Sequence, residues 1–290
     1  VSVAEPILNA HAELGEGAIW NGELGVLHWV DISRFLVHSF DPQTGKDEEI
    51  HVGAHVGTVV NRSAKHGGGF VVALPNKIAH VSVDGKVSVL ANLQEPPSNR
   101  LNDGKCDPAG RFWFGSMDFD FTPGKSQLYM MDHDHKVTSK LDGITISNGI
   151  VWTGDRKRMY YIDSGTNAVD AFDYDIESGS ITNRQCAVKN EWGGVFDGMT
   201  IDKDDNLYVA TWGGGAVLKI NPITGSLIER IAVPGASKIT SCAFGGKDLN
   251  DLYITSASEN VDPEKEPYAG SLFKLHFENA QGLPAHQFLG

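Results

Sequence analysis

Asp197 interrupts an apolar run, "WGGVFDGMTID", residues 192–202. A charge in such a setting is costly unless something pairs with it. One resolution is a turn, because Asp-Gly is a common hairpin dipeptide. The other is a shared cation. Glu16 in "LGEGAIW" and Asn148 in "ISNGIVW" stand in similar apolar surroundings. With Asp197 they offer two carboxylates and an amide carbonyl, a hard oxygen set suited to Ca²⁺, Mg²⁺ or Mn²⁺. Zn²⁺ also accepts carboxylates at similar distances.

These residues can meet only if the chain returns repeatedly to one place, and it does. A short apolar strand recurs six times, beginning at Leu27, Phe70, Phe112, Met159, Leu207 and Leu252, at intervals of 42 to 48 residues. The runs are "LHWVD", "FVVAL", "FWFGS", "MYYID", "LYVAT" and "LYITS". Turn-forming clusters such as "DPAGR", "TGDRKR", "DKDDN" and "GKDLND" precede several of them. A further strand follows each, from "LVHSFD" to "SLFKLH", and no segment of helical length shows helical periodicity. Repeating sheet units of this size, with no helices between them, predict an all-β, six-bladed β-propeller spanning residues 1–290 as one domain. Either "VSVAEPILNA" or "AHQFLG" would complete the last blade, since an open edge invites aggregation.

In a propeller the first strand of each blade lines the central channel. Ten to twelve residues upstream of each anchor stand Glu16, Thr58 or Val59, Asn102, Asn148, Asp197 and Thr240. The expectation is a ring of oxygen-bearing side chains at one level of a metal-binding channel. The competing reading is that they only satisfy channel water and backbone groups.

Composition narrows the function. The formal charge is −13, from 24 basic and 37 acidic side chains, which argues against nucleic acid or an anionic membrane as partner. No apolar run approaches the roughly 20 residues of a membrane span. No charged-then-apolar leader opens the sequence, which starts at Val1 without an initiator Met. Cys106, Cys186 and Cys242 show no CxxC spacing and are read as buried free thiols in a reducing, cytoplasmic compartment.

The stretches "LGEGAIW", "NRLNDGKCDPAGRFWFGSM", "SNGIVW", "MYYIDS", "FDGMTIDKDDNLYVATWGGG" and "TSCAFGGKDLNDLYITSA" run from first blade to last. In them the chain resembles the regucalcin (senescence marker protein) and gluconolactonase family, which includes sugar lactonases and luciferin-regenerating enzymes. The resemblance implies one divalent cation in the channel, Ca²⁺ first and Zn²⁺, Mn²⁺ or Mg²⁺ as alternatives, held by Glu16, Asn148 and Asp197. It implies substrate contacts from Arg100 and Asn102. A further acidic sugar contact falls on Asp120 within "GSMDFDF", with Asp118 competing for the role.

The implied reaction is hydrolysis of a sugar lactone, with Asp197 as the general base and the cation polarising the carbonyl. Rival readings are a phosphotriesterase-like or other ester hydrolase on the same site, and a non-catalytic binding module. A monomer or weak homodimer is expected. "HDH" at His133 to His135 reads as a hairpin turn and "WGGG" from Trp212 as a tight turn, rather than as sites. The polar loop "ENVDPEKEPYAG" reads as solvated surface or channel rim, and "HVGAHVG" in the second repeat as a segment bearing on specificity.

Overall fold

A computed structural model describes residues 2–290. Strand β1 (Glu5–Leu8) comes first and is set aside until the ring closes. Blade one holds β2 (Gly15–Asn21), β3 (Val26–Asp31), β4 (Leu36–Asp41) and β5 (Lys46–His51). Blade two holds β6 (Thr58–Asn61), β7 (Phe70–Leu74), β8 (Lys77–Val81) and β9 (Val87–Asn92). Blade three holds β10 (Asn99–Cys106), β11 (Phe112–Asp118), β12 (Ser126–Met131) and β13 (Val137–Ile144). Blade four holds β14 (Ser147–Trp152), β15 (Arg158–Asp163), β16 (Ala168–Asp175) and β17 (Ser180–Lys189). Blade five holds β18 (Val195–Ile201), β19 (Leu207–Trp212), β20 (Ala216–Asn221) and β21 (Ser226–Ala232). Blade six holds β22 (Ile239–Gly245), β23 (Asp251–Ser256) and β24 (Leu272–His276).

Each blade is a four-stranded antiparallel meander, and β1 supplies the fourth strand of blade six. Its register, Glu5 opposite Lys274 and Leu8 opposite Leu272, closes the ring with the N-terminal segment. The C-terminal segment completes no blade. Phe288 instead exchanges backbone hydrogen bonds with Asn61 and Ser63 of the second repeat, and its ring is fully buried.

Neighbouring sheets pack face to face, so the inner strands are buried on both sides and read as nearly unbroken apolar runs. All of "FVVAL" in β7 is buried. Apolar clusters join blades one to three (Val30, Val72, Phe112), three and four (Trp113, Tyr161), four and five (Ile162, Leu207), five and six (Tyr208, Phe273), and six and one (Tyr253, Trp29). That chain of contacts makes the arrangement a ring, a six-bladed β-propeller. Outer strands such as β5, "KDEEIH", are half-exposed and carry little apolar pattern.

One expectation needs correcting. Cys106 and Cys242 are buried, but Cys186 is exposed because it lies on the outer strand β17. Among the described residues no helix is long and apolar enough to cross a membrane.

Candidate active site

The innermost strands share a local irregularity. The register of β2 on β3 shifts between Glu16 and Ile19, of β10 on β11 between Leu101 and Gly104, and of β14 on β15 between Ser147 and Ile150. It shifts again between Phe196 and Met199 in β18 and between Ile239 and Ser241 in β22. Such β-bulges re-aim side chains and recur next to functional sites. Here each bulge carries Glu16, Asn102, Asn148, Asp197 or Thr240. Strand β6 pairs with β7 without a break.

Asp197 is therefore inside a strand and not at a hairpin. The glycine after it serves close packing: Gly198 has no left-handed φ, and a Cβ there would lie 2.8 Å from the Thr240 carbonyl oxygen. Gly149, after Asn148, faces the same restriction, with the Met199 backbone nitrogen 2.7 Å from an added Cβ. The residue-glycine pairs bring adjacent inner strands together around the axis.

Glu16, Arg100, Asn102, Asn148 and Asp197 line one cavity of about 440 Å³, within the ordinary range for ligand pockets. Their orientations are set by hydrogen bonds. Asn148 Nδ2 donates to Ser164 Oγ at 2.8 Å, and Ser164 Oγ donates to the Phe196 carbonyl at 2.6 Å. This fixes the amide so that Asn148 Oδ1 is its accepting end, met among the described residues only by a long 3.4 Å contact from Asn102 Nδ2. Asn102 Nδ2 donates to the Ser147 carbonyl at 2.7 Å, while Asn102 Oδ1 accepts from Arg100 Nη1 at 2.6 Å. Arg100 Nη1 also reaches the Leu101 carbonyl at 3.1 Å, so its protein partners occupy only one of three guanidinium nitrogens.

The electrostatics are lopsided. Burial, and then the mutual repulsion of Glu16, Asp197 and the neighbouring Asp103, push the Glu16 carboxyl well above its usual range. Burial likewise raises Asp197, opposed first by its hydrogen bond with Glu16 and then by the charge of Arg100. Burial also lowers Arg100 to about 10, so it remains cationic near neutrality. Lys105 acts on Asp103, which leaves one guanidinium against the buried Glu16 and Asp197, and a dication beside those two would supply the missing charge. With Asn148 Oδ1 as a third hard donor, the residues fit a divalent cation.

The other expected positions separate. Thr240 Oγ1 turns to the Gly15 carbonyl and Thr58 Oγ1 to the Gly104 carbonyl, and neither lines the cavity. Asp120 is exposed and also stays outside. The loop explains why: Phe119 N donates to the Ser98 carbonyl, Phe121 N to the Asp118 carbonyl, and Thr122 N to Asp118 Oδ2. That anchoring brings Phe119 and Phe121 to the cavity and leaves Asp120 outside it. Asp118 is committed to the same turn.

Several lining residues were not singled out from sequence. His55, within "HVGAHVG", sits between Phe35 (ring centroids 4.9 Å) and Phe119 (5.6 Å). Partial burial and the nearby Arg100 lower its pKa. Glu259 brings the "ENVDPEKEPYAG" loop to the rim, where Lys238 Nζ bonds its carbonyl and lies 4.8 Å from the Trp212 ring centroid. Trp212 opens a tight turn, as "WGGG" implied, and its side chain also faces the cavity. His133 and His135 belong to a hairpin turn, with His135 in the left-handed region. Lys105, Thr200 and residues Leu283 to His286 border a second, smaller cavity of about 60 Å³.

Residues 14–258 match the family described as the SMP-30/gluconolactonase/LRE-like region. The chain is 40% identical to regucalcin of Danio rerio, over 99% of this chain and 98% of that one. It is 35% identical to regucalcin of Homo sapiens over the same shares. Among solved structures, a luciferin-regenerating enzyme superposes with a TM-score of 0.92 at 32% identity, over 99% of both chains. A calcium-binding protein, regucalcin, from Agrobacterium tumefaciens gives 0.92 at 25% identity, also over 99% of both.

Proposed function

Because the chain belongs to the SMP-30/gluconolactonase/LRE-like family, we propose that it is a divalent-cation-dependent lactonase whose reaction takes place in the channel cavity. The observation that carries this reading is the convergence of Glu16, Asn148 and Asp197 with Arg100 and Asn102 on one cavity from four blades. Neither the cation set nor the donors alone would support hydrolysis as well as the two together.

Glu16, Asn148 and Asp197 would hold the cation, with Ca²⁺ the first choice given the calcium-binding relative. When bound it supplies polarisation of the ester carbonyl. The remaining N–H groups of Arg100 donate to the substrate's oxygens; Asn102, expected as a second substrate contact, has its amide tied to Arg100 and the Ser147 carbonyl and holds the guanidinium in place. The Asp197 carboxylate takes a proton from water as the new C–O bond forms at the carbonyl carbon. The ring C–O bond then breaks, and the same proton passes to the departing alkoxide, giving a hydroxy acid. Lactones are activated esters, so one base and one set of oxyanion donors suffice. Three free cysteines, one of them exposed, fit a reducing, cytoplasmic setting.

Elemental analysis of the purified protein, chelator stripping, and pH-stat assay of aldonolactones after each cation is restored test the proposal. Cation-dependent hydrolysis is expected. No hydrolysis with any restored cation would refute it.

A further inference from the structure

The cavity has two unlike parts. Most of its hydrogen-bonding side chains stand on the bulged strands at the floor, while Leu14, Ile32, Phe119, Phe121, Val195 and Trp212 build much of the wall, with Ser33, His55 and Glu259 as its polar exceptions. Phe119 and Phe121 are 46% and 57% exposed, the only exposed phenylalanines among the described residues. Both border this one cavity, and their loop is anchored through Ser98 and Asp118 rather than loose. Apolar surface held open to water in one place marks a binding surface. A polyhydroxylated substrate would need donors and acceptors along that wall. Asp120, the residue expected to supply one, lies outside the cavity. His55, one of the few polar side chains there, packs edge-on between two aromatic rings.

We propose that the preferred substrate is a lactone carrying an alkyl or aryl substituent, its ester group at the floor and its apolar group against Phe119 and Phe121. This rests on the lactonase reading for the chemistry, but the apolar subsite can be tested without turnover. Sugar lactones would still be substrates, and poorer ones, because their hydroxyls would lose water without gaining partners.

The test uses the cation-loaded protein and two matched series. In the first, kcat/KM is measured for an aldonolactone and for lactones with alkyl chains of increasing length or a phenyl group. It should rise about three- to fourfold per buried methylene until the cavity is filled. The second series replaces the ring ester by the non-hydrolysable lactam, and affinity is read by calorimetry, with the same rise expected. In the double variant Phe119→Ala/Phe121→Ala the dependence on chain length should flatten in both series while cation content is unchanged. Lactam affinity that ignores chain length, or a slope the double variant leaves intact, overturns the inference. So does an aldonolactone that outperforms every alkyl and aryl lactone. Lactam binding with the expected slope but no lactone turnover would sustain the apolar subsite and sink the lactonase reading instead.

Discussion

The floor and the rim of the cavity are built by different physics. Floor side chains stand on bulged inner strands, and their amides are pinned by neighbours: Asn148 through Ser164, and Asn102 through the Ser147 carbonyl. Rim side chains such as His55, Phe119 and Glu259 stand on connections between strands. Strands hold reacting groups to the tolerance that catalysis needs, while connections can be exchanged without disturbing them. On the proposed lactonase reading, the contrast assigns chemistry to the repeat and selectivity to what departs from it.

The largest effect should come from the floor. Asp197→Asn keeps an oxygen ligand and nearly the same shape but cannot accept the proton. With cation in excess, kcat should fall roughly 10²-fold or more. Near-normal kcat at saturating cation would remove the base role from Asp197. Glu16→Gln should instead weaken cation binding, read by titration calorimetry, because it deletes one of two charged donors.

Gly198→Ala tests whether the floor depends on close strand approach. The added Cβ would meet backbone and Cβ atoms of Thr240 and Ser241 at 2.8 to 3.0 Å. A loss of about 1–3 kcal/mol in denaturant unfolding is expected, the usual range for overpacking. Unchanged stability would mean that blades five and six can separate locally.

The ring was legible because the inner strands of each blade are buried and repeat their apolar pattern. The outermost strands were not, since exposed runs such as "SITNRQCAVK" in β17 carry no apolar period. The floor was legible because the bulges fall at a nearly constant offset from the anchors. That offset misled at Thr240 and Thr58, whose hydroxyls satisfy carbonyls of the adjacent blade. Asp103 was passed over because it follows Asn102 directly, although burial and its neighbours make it part of the same charge cluster. The rim was legible only as segments: "HVGAHVG" and "ENVDPEKEPYAG" do reach the cavity, through His55 and Glu259, but the individual side chains could not be picked out. Which of Phe119, Asp120 and Phe121 borders the cavity depends on hydrogen bonds to Ser98 and Asp118, and neither carries a periodic signal.

A smaller effect should follow from Ser164→Ala. Ser164 touches Asn148 Nδ2 and the Phe196 carbonyl and so fixes which end of the amide would be offered to the proposed cation. Losing such a supporting partner commonly costs 10- to 100-fold in metal affinity. The low end, about 10-fold, is expected because the bulge still holds the Asn148 backbone. Calorimetric titration reads it, and an unchanged affinity would show that strand geometry alone orients the amide.

The smallest expected effect is the sharpest statement about the rim. Asp120→Ala should change kcat/KM for an aldonolactone by less than about twofold and stability by no more than about 0.5 kcal/mol, as for an exposed side chain away from special features. The side chain lies outside the cavity, and the turn that places it there uses the backbone of Phe121 and Thr122 and the carboxylate of Asp118. Asp118→Ala in parallel removes that anchor and should raise KM for an alkyl or aryl lactone several-fold by loosening Phe119 and Phe121. If Asp120→Ala proved the more damaging of the two for a sugar lactone, the loop would swing its carboxylate inward over bound substrate. The rim would then share in polar recognition, and the division between floor and rim would fail at that loop.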